Sequence, residues 1–234
     1  MLIIGVYVDD LLMTGTSTAL IGDFKTQMSE RFDMSNLGKL SYYLGMEVEQ
    51  GSDYVEIKQA GYARKLLERF RLLDCNPTKF PMDPKESITK DEGGKLVDTI
   101  QFKSLVGRLC YLVHTRPDIA YSVGIISRFV EKPTIMHLHA AKRLLRYIRG
   151  TLEYGLVYAK NSGNNLLSGY SDSDLAGHVD DQRSTGGMVF YLNESLITWV
   201  LQKQRCVALS SCEAESMAVT TAACQTIWLR NLLG

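Results

Sequence analysis

The sequence carries no excess of charge of either sign, because 26 lysine and arginine residues balance 26 aspartate and glutamate residues. A neutral chain has no overall field that would attract a polyanion, so any such attraction must come from a local basic cluster. The five cysteines form no C-x-x-C pair, and their odd number argues against a zinc site or a disulfide framework. This cysteine usage predicts a reducing intracellular compartment, cytoplasmic or nuclear.

Long uninterrupted apolar runs are also missing. The apolar stretch over residues 1–15 has no basic residue at its start and is broken by Asp9 and Asp10. Each aspartate would cost roughly 2.5–3.5 kcal/mol at the centre of a membrane. The sequence therefore predicts neither a signal peptide nor a membrane span.

What the chain does contain is the composition of a globular protein, with 45% hydrophobic and 22% charged residues over 234 positions. That length suffices for one large domain or two modest ones. Periodicity and turn residues in the first part predict strands at 2–8, 11–15, 40–50 and 54–58 and helices at 18–32 and 59–72. In the remainder they predict a loop over 74–99, helices at 100–114, 117–130 and 134–149, a β-rich stretch at 166–203, and a helix from about 211.

Asp9 and Asp10 stand side by side at the turn between the first two predicted strands. Burying an unpaired carboxylate is costly, and two adjacent carboxylates repel each other, so the pair suggests a compensating cation. Carboxylate oxygens favour Mg²⁺ or Mn²⁺. The alternative is an ordinary polar turn at the tip of a hairpin, which the dipeptide alone does not exclude.

A second group of carboxylates lies near the end of the chain. Asp172 and Asp174 are two residues apart in a predicted strand, so they share one face of it. Glu213 and Glu215 open the last predicted helix, where residues two apart point about 200° away from each other, so only one glutamate can face Asp172. We predict that it is Glu215, because this residue lines up with the apolar stripe formed by Ala218, Val219, Ala222 and Leu229. The alternative is a pair of turn aspartates and two first-turn acids that favour the helix dipole.

The predicted helix 134–149 carries a short basic ridge formed by Lys142, Arg143, Arg146 and Arg149. Three of these side chains fall within about 60° of one another on a helix, with Arg143 to one side. Such a ridge would bind phosphates without sequence preference and with strong salt dependence. A solvated helix face is the equally open alternative. Tyr121 and Tyr147 are predicted to lie in the core rather than to stack on bases.

Several motifs together point to one family. Tyr7-Val8-Asp9-Asp10 matches the Tyr-x-Asp-Asp box of reverse transcriptases, in which a hairpin presents its aspartates to metal ions. Further matching motifs are Leu37-Gly38, Tyr43-Leu44-Gly45-Met46-Glu47-Val48, Leu105-Val106-Gly107, Thr115-Arg116-Pro117-Asp118, Ser171-Asp172-Ser173-Asp174, Arg183-Ser184-Thr185-Gly186-Gly187 and Ala208-Leu209-Ser210-Ser211-Cys212-Glu213-Ala214-Glu215. The whole chain thus resembles the copia-type retrotransposon Pol polyprotein. One departure is Leu175, where the family usually has a tryptophan.

The resemblance implies an α+β fold made of a reverse transcriptase palm and thumb remnant, a helical connection, and a partial ribonuclease H-like α/β domain. The expected segments are the palm remnant and the start of the thumb at 1–75, a linker at 76–99, the helical thumb and connection region at 100–160, and the N-terminal half of the ribonuclease H-like domain at 161–234.

The resemblance also implies roles for the carboxylates. Asp9 and Asp10 would be metal ligands of the polymerase, and Asp172 and Glu215 metal ligands of the nuclease, with Mg²⁺ or Mn²⁺ as the cofactor. The implied partners are an RNA template, a DNA primer and an RNA–DNA hybrid, with no membrane. An active element would place the protein in a cytoplasmic virus-like particle.

In this family the Asp-Asp box works with an earlier aspartate and with the fingers, and the ribonuclease H fold adds a third carboxylate from a later strand. Neither addition falls within these 234 residues. We therefore expect an incomplete polymerase and nuclease, inactive alone, with strand 166–173 left at the edge of its sheet. The alternative is a retained, non-catalytic nucleic-acid-binding or interaction protein that uses the basic ridge.

Overall fold

The computed structural model describes residues 1–83, 88–90, 92–160 and 166–233, which form a mixed α+β fold, as predicted. The strands are β1 (Leu2–Tyr7), β2 (Asp10–Gly15), β3 (Tyr42–Tyr43), β4 (Met46–Gln50), β5 (Tyr54–Lys58), β6 (Gly155–Ala159), β7 (Leu167–Ser173), β8 (Thr185–Leu192) and β9 (Ser195–Lys203). The α-helices are α1 (Thr18–Arg31), α2 (Ala60–Arg69), α3 (Thr99–Leu112), α4 (Ala120–Ile126), α5 (Ile135–Gly150) and α6 (Ser211–Leu233). The chain divides into two compact units, Met1–Leu40 and Ser41–Gly234.

The first unit contains an antiparallel hairpin, β1 and β2, followed by α1. The predicted strands 2–8 and 11–15 and the predicted helix 18–32 are confirmed within one or two residues. Ser17 caps the helix, because its side-chain oxygen accepts a hydrogen bond from the Leu20 N–H at 3.4 Å. Within residues 1–40, all of which are described, no residue is buried. The hairpin and the helix are therefore not held around a core of their own.

The second unit begins with a four-stranded antiparallel sheet in the order β3-β4-β5-β6. The prediction of one strand over 40–50 is wrong, because a tight turn at Leu44 and Gly45 divides it into β3 and β4. Both turn residues have positive φ, 48° and 80°. The hydroxyl of Tyr111 donates a hydrogen bond to the Leu44 carbonyl, which holds the turn against α3.

The core of the second unit is helical. Leucines of α2, α3 and α5 that are at most 2% exposed form its centre: Leu66, Leu67, Leu105, Leu109, Leu112, Leu144 and Leu145. The predicted helices 100–114 and 134–149 are confirmed as α3 and α5. The predicted helix 117–130 is wrong as one piece, because 3₁₀ turns at Pro117–Ile119 and Ser127–Phe129 flank the short α4. Pro117 occupies the first turn, where its fixed φ and missing N–H are tolerated.

Arg116 precedes that turn and is almost fully buried, with 2% of its surface exposed. It forms a bidentate pair with the Asp118 carboxylate, at 2.8 and 2.7 Å, and donates to the carbonyl and hydroxyl oxygens of Thr151. Its guanidinium also lies over the rings of Tyr147 and Tyr154. This network joins the start of α4 to the end of α5, and it gives the Thr115-Arg116-Pro117-Asp118 motif a structural role.

The last part of the chain forms a three-stranded antiparallel sheet, β7-β8-β9, against which α6 packs. The predicted β-rich stretch and the final helix are confirmed. Among the described strands β7 pairs only with β8, so it lies at the sheet edge, as expected. Ala218 and Leu229 of α6 are buried, but Val219 is 53% exposed, so its predicted place in the core stripe is wrong.

Two sequence predictions fall partly or wholly outside the described residues. The boundary near 161 lies within 161–165, and the linker 76–99 contains residues 84–87 and 91. The compact units and the four predicted segments are different divisions of the chain, so the four-segment scheme stays a prediction. No helix of the described residues is long and apolar enough to cross a membrane.

Candidate functional site

The structure brings Asp172 and Glu215 together at one backbone amide. The Ser173 N–H lies 2.9 Å from Asp172 Oδ1 and 3.3 Å from Glu215 Oε1, so both carboxylates accept from the same donor. Asp172 is exposed, whereas Glu215 is partly buried. Two carboxylates converging on one N–H form a concentrated negative charge with oxygen atoms available to a cation.

Sheet and helix packing positions these two carboxylates. Asp172 stands near the end of β7 and pairs with Gly187 of β8, which presents no side chain opposite it. Glu215 lies in the second turn of α6, between the buried residues Ala214 and Ala218. The helix is held on the sheet by Leu229, which packs with Met188 and Phe190. The distance between the carboxylates therefore depends on the docking of α6 against β7.

The neighbouring acidic side chains have other roles. Asp174 Oδ1 accepts from the Thr185 N–H at 2.7 Å and from the Gly177 N–H at 3.2 Å, so it shapes the loop between β7 and β8. Glu213 Oε2 accepts from the Leu209 N–H at 2.7 Å, which fixes the start of α6. Glu215, not Glu213, thus reaches β7.

An open groove of about 440 Å³ runs past Asp172 between α4 and one face of the β7–β9 sheet. Its aromatic lining residues are Tyr121 of α4, Tyr170 of β7 and Trp199 of β9. Tyr121 is 47% exposed, so its predicted place in the core is wrong. The helical region therefore contributes one wall of the groove that contains the Asp172 carboxylate.

Asp9 and Asp10 occupy a different setting. Tyr7 pairs with Asp10, so Val8 and Asp9 form a two-residue hairpin loop, and both aspartates are exposed. Neither carboxylate is desolvated, so this hairpin does not need a cation to compensate for buried charge. Val8 has φ of 53°, which is strained for a β-branched residue and places the strain beside the Asp-Asp pair.

The arginines of the predicted basic ridge hold the preceding loop against α5. Arg146 Nε donates to the Asn76 carbonyl at 2.8 Å, and Arg149 Nε donates to the Leu73 carbonyl. Arg143 pairs with Asp83 at 3.5 Å, and Lys142 is exposed. The ridge therefore has a structural role in the folded chain, while its binding of phosphates stays a prediction.

Sequence reasoning missed Gln204, which follows β9. Its Nε2 donates to Ser173 Oγ at 3.1 Å and to the Ala214 carbonyl at 2.8 Å. These acceptors lie on β7 and α6, next in sequence to Asp172 and Glu215. No sequence periodicity marks such a residue, because its two acceptors are 31 and 10 positions away.

A charged cluster closes the loop between β7 and β8. Asp181 Oδ2 accepts from Lys203 Nζ at 2.5 Å, and its Oδ1 lies 2.9 Å from Nδ1 of the buried His178. Burial lowers the pKa of His178, and the positive charges of Lys203 and Arg128 lower it further. Burial alone would raise the pKa of Asp181, but hydrogen bonds from Lys203 and the Arg183 N–H outweigh it and hold that pKa below its usual value.

Across residues 1–83, 88–90, 92–160 and 166–233, no group of three or more histidine, cysteine, aspartate or glutamate side chains is arranged to hold a metal ion. The candidate metal ligands therefore occur as pairs. Asp172 and Glu215 come from separate elements and meet in space. Asp9 and Asp10 are neighbours along the chain.

Comparison with known proteins places the chain in a family. Residues 1–84 match the family model described as reverse transcriptase (RNA-dependent DNA polymerase). Over 97% of its length the chain is 39% identical to the retrovirus-related Pol polyprotein from transposon RE1 of Arabidopsis thaliana. It is 32% identical over 91% of its length to the putative transposon Ty5-1 protein of Saccharomyces cerevisiae, and it covers 70% of that protein. The chain belongs to the copia-type retrotransposon Pol family.

This retrotransposon Pol chain spans only 16% of the length of the RE1 polyprotein. It also resembles a much shorter protein: it is 36% identical over 95% of its length to an uncharacterized mitochondrial protein of Arabidopsis thaliana, of which it covers 92%. No solved structure matches the chain significantly.

Proposed function

We propose that this chain contributes the palm, thumb and connection region of a reverse transcriptase and the first half of a ribonuclease H-like domain to a retrotransposon Pol polyprotein. The intact parent would carry out RNA-directed DNA synthesis on an RNA template and DNA primer and cleave the resulting RNA–DNA hybrid. The observation that carries the nuclease part is the meeting of Asp172 and Glu215 at the Ser173 amide. A strand aspartate beside a helix glutamate, separated by a β-hairpin, is the arrangement expected at the start of a ribonuclease H fold.

The residues present fit a divalent metal ion. Asp172 and Glu215 offer hard oxygen ligands from two rigid elements, and Mg²⁺ commonly uses one or two protein carboxylates together with substrate phosphate and water. A bound Mg²⁺ or Mn²⁺ would supply activation of a water molecule for attack on a phosphodiester. The chain itself holds the two carboxylates in register through the Ser173 N–H, and the adjacent groove would receive the nucleic acid.

Asp9 and Asp10 are proposed as metal ligands of the polymerase on the family match alone, since it covers this hairpin. The exposed loop presents both carboxylates at its tip. Their cofactor would again be Mg²⁺ or Mn²⁺.

We further propose that the chain alone performs neither reaction, because its described residues assemble carboxylates only in pairs. The test is to incubate the purified chain with Mg²⁺ or Mn²⁺ and either a labelled primer–template or a labelled RNA–DNA hybrid. We expect no primer extension and no cleavage. Metal-dependent cleavage that disappears in the Asp172→Asn variant would overturn the proposed inactivity.

The alternative function, nucleic-acid binding through the basic ridge, has weaker support. Arg146 and Arg149 already donate to backbone carbonyls of the preceding loop. A gel-shift titration with hybrid at rising salt separates the two proposals. Tight binding with a steep salt slope, lost in an Arg146→Gln/Arg149→Gln variant that remains folded, would favour retained binding.

A further inference from the structure

Gln204 links the two elements that carry the candidate nuclease carboxylates. Its backbone N–H donates to the Ser184 carbonyl at 2.8 Å, which fixes the residue beside the start of β8. From that position its side-chain amide reaches both Ser173 Oγ of β7 and the Ala214 carbonyl of α6. One side chain thus bridges a strand and a helix that are also joined by the longer Ser173–Glu215 hydrogen bond and by apolar contacts.

The two acceptors are the immediate neighbours of Asp172 and Glu215. A movement of α6 away from β7 would break the Gln204 bridge and lengthen the Glu215–Ser173 hydrogen bond, which is already 3.3 Å. We propose that Gln204 is a positioning residue that sets the spacing of the Asp172 and Glu215 carboxylates. This inference rests on the proposed nuclease function, and it assigns to Gln204 no contact with metal or substrate.

The chemistry of the amide explains why glutamine serves here. The Nε2 group has two hydrogens, which match the two acceptors on β7 and α6. Among the described residues Gln204 Oε1 is buried and has no hydrogen-bond partner. A buried acceptor without a partner is unfavourable, so the two donor bonds must hold the side chain in this orientation. Methionine would fill a similar volume and offer no donor.

The test compares Gln204→Met with Gln202→Met in the full chain. Gln202 is an exposed residue of β9, two positions earlier, and serves as the matched control. Mn²⁺ is titrated against each protein, and amide hydrogen exchange is followed by NMR at Ser173 and at the buried Met188. Loss of a residue that orients metal ligands typically weakens metal affinity about 10–100-fold. We expect that loss, with faster exchange at Ser173 and unchanged exchange at Met188, in Gln204→Met only.

An unchanged Mn²⁺ midpoint together with unchanged Ser173 exchange in Gln204→Met would overturn the inference. If the unsubstituted chain does not bind Mn²⁺, the proposed metal site fails, and Ser173 exchange then decides separately whether Gln204 holds β7 to α6. If Gln204→Met also loses protection at Met188, the variant Ser173→Ala is used instead, because it keeps the Gln204 bond to Ala214 and removes only the two bonds of the Ser173 hydroxyl, to Gln204 and to the Asp174 carbonyl. Faster exchange at the backbone amide of the substituted position, with Met188 still protected, supports the bridge, and unchanged exchange there overturns it.

Discussion

The two carboxylate pairs differ in how the chain brings them together. Asp9 and Asp10 are adjacent in sequence and lie exposed at the tip of a hairpin in a unit without a buried residue. Asp172 and Glu215 are 43 positions apart and meet because α6 packs on β7. The first pair is close by covalent connection, and the second is close only while the fold holds.

This difference has a physical consequence for ligand binding. Carboxylates that share a hydrogen-bond donor between two docked elements have a smaller ordering cost on binding than a pair at the tip of an exposed hairpin. The helix and the sheet that carry Asp172 and Glu215 are docked through Met188, Phe190 and Leu229. We therefore expect the second pair to bind a divalent ion more tightly than the first in the isolated chain.

The largest expected difference between the two units is in stability. Leu109 is fully buried in the helical core, so Leu109→Ala should destabilise the protein by about 2–5 kcal/mol. Leu20 of α1 is 47% exposed, and Leu20→Ala should change stability by no more than about 0.5 kcal/mol. Urea unfolding followed by circular dichroism measures both. Equal effects of the two substitutions would contradict the assignment of the core to the second unit.

The buried Arg116 network should be the next most sensitive feature. Arg116→Met removes a charge that pairs with Asp118 and leaves the oxygens of Thr151 without their donors. Breaking a buried pair costs roughly 3–5 kcal/mol, and the partial exposure of Asp118 places the expected loss near the lower end, at about 3 kcal/mol. The measurement is a double-mutant cycle with Asp118→Asn. Additive losses in the cycle would show that the two side chains do not act as a pair.

The pH dependence of stability should reveal His178. Because its pKa is lowered in the folded state, the unfolded chain binds the proton more readily below its own pKa of about 6.5. The contribution of His178 to the free energy of unfolding is therefore complete above that pH and decreases as the pH falls below it. The loss of unfolding free energy between pH 7.5 and 5.5 should be smaller in His178→Gln than in the unsubstituted protein. The exposed His139 provides the control, and an equal reduction in His139→Gln would contradict this account.

The smallest expected effect concerns the strained turn of the first unit. Glycine adopts positive φ without steric cost, so Val8→Gly should stabilise the hairpin. The gain should be about 1 kcal/mol or less, because glycine also raises the conformational entropy of the unfolded chain. Val6, on β1, does not have positive φ, and Val6→Gly should weaken the same hairpin. Amide exchange in β1 and β2 measures both. Slower exchange in Val6→Gly, or faster exchange in Val8→Gly, would contradict the strain at Val8.

Local patterns predicted the elements of this chain well. Alternating and helical periodicity predicted β1, β2, α1, α3, α5 and α6. The single strand predicted over 40–50 was wrong because the apolar pattern continues through the turn at Leu44 and Gly45, where both residues have positive φ and Tyr111 contacts the Leu44 carbonyl. Helical geometry allowed only one of Glu213 and Glu215 to face the strand, and alignment with the apolar stripe of α6 favoured Glu215.

Long-range contacts escaped prediction for a common reason. Gln204 acts through acceptors on two other elements, and Arg146 and Arg149 act through carbonyls of a loop about 70 positions away. The two arginines suggested a solvated or phosphate-binding surface, because sequence alone does not show which backbone groups lie within reach. Such contacts depend on the docking of complete elements.

The most direct test of the account is Mn²⁺ titration of the full chain monitored by NMR at the Ser173 amide, which lies between the Asp172 and Glu215 carboxylates. We predict that sub-stoichiometric Mn²⁺ broadens the Ser173 resonance strongly, and that Asp172→Asn and Glu215→Gln each weaken this effect at least about tenfold. The double variant should lose little more Mn²⁺-induced broadening than each single variant, because one remaining carboxylate does not form the site. Broadening of Ser173 that persists in both single variants, or its absence in the unsubstituted chain, would contradict a metal site formed by these two residues.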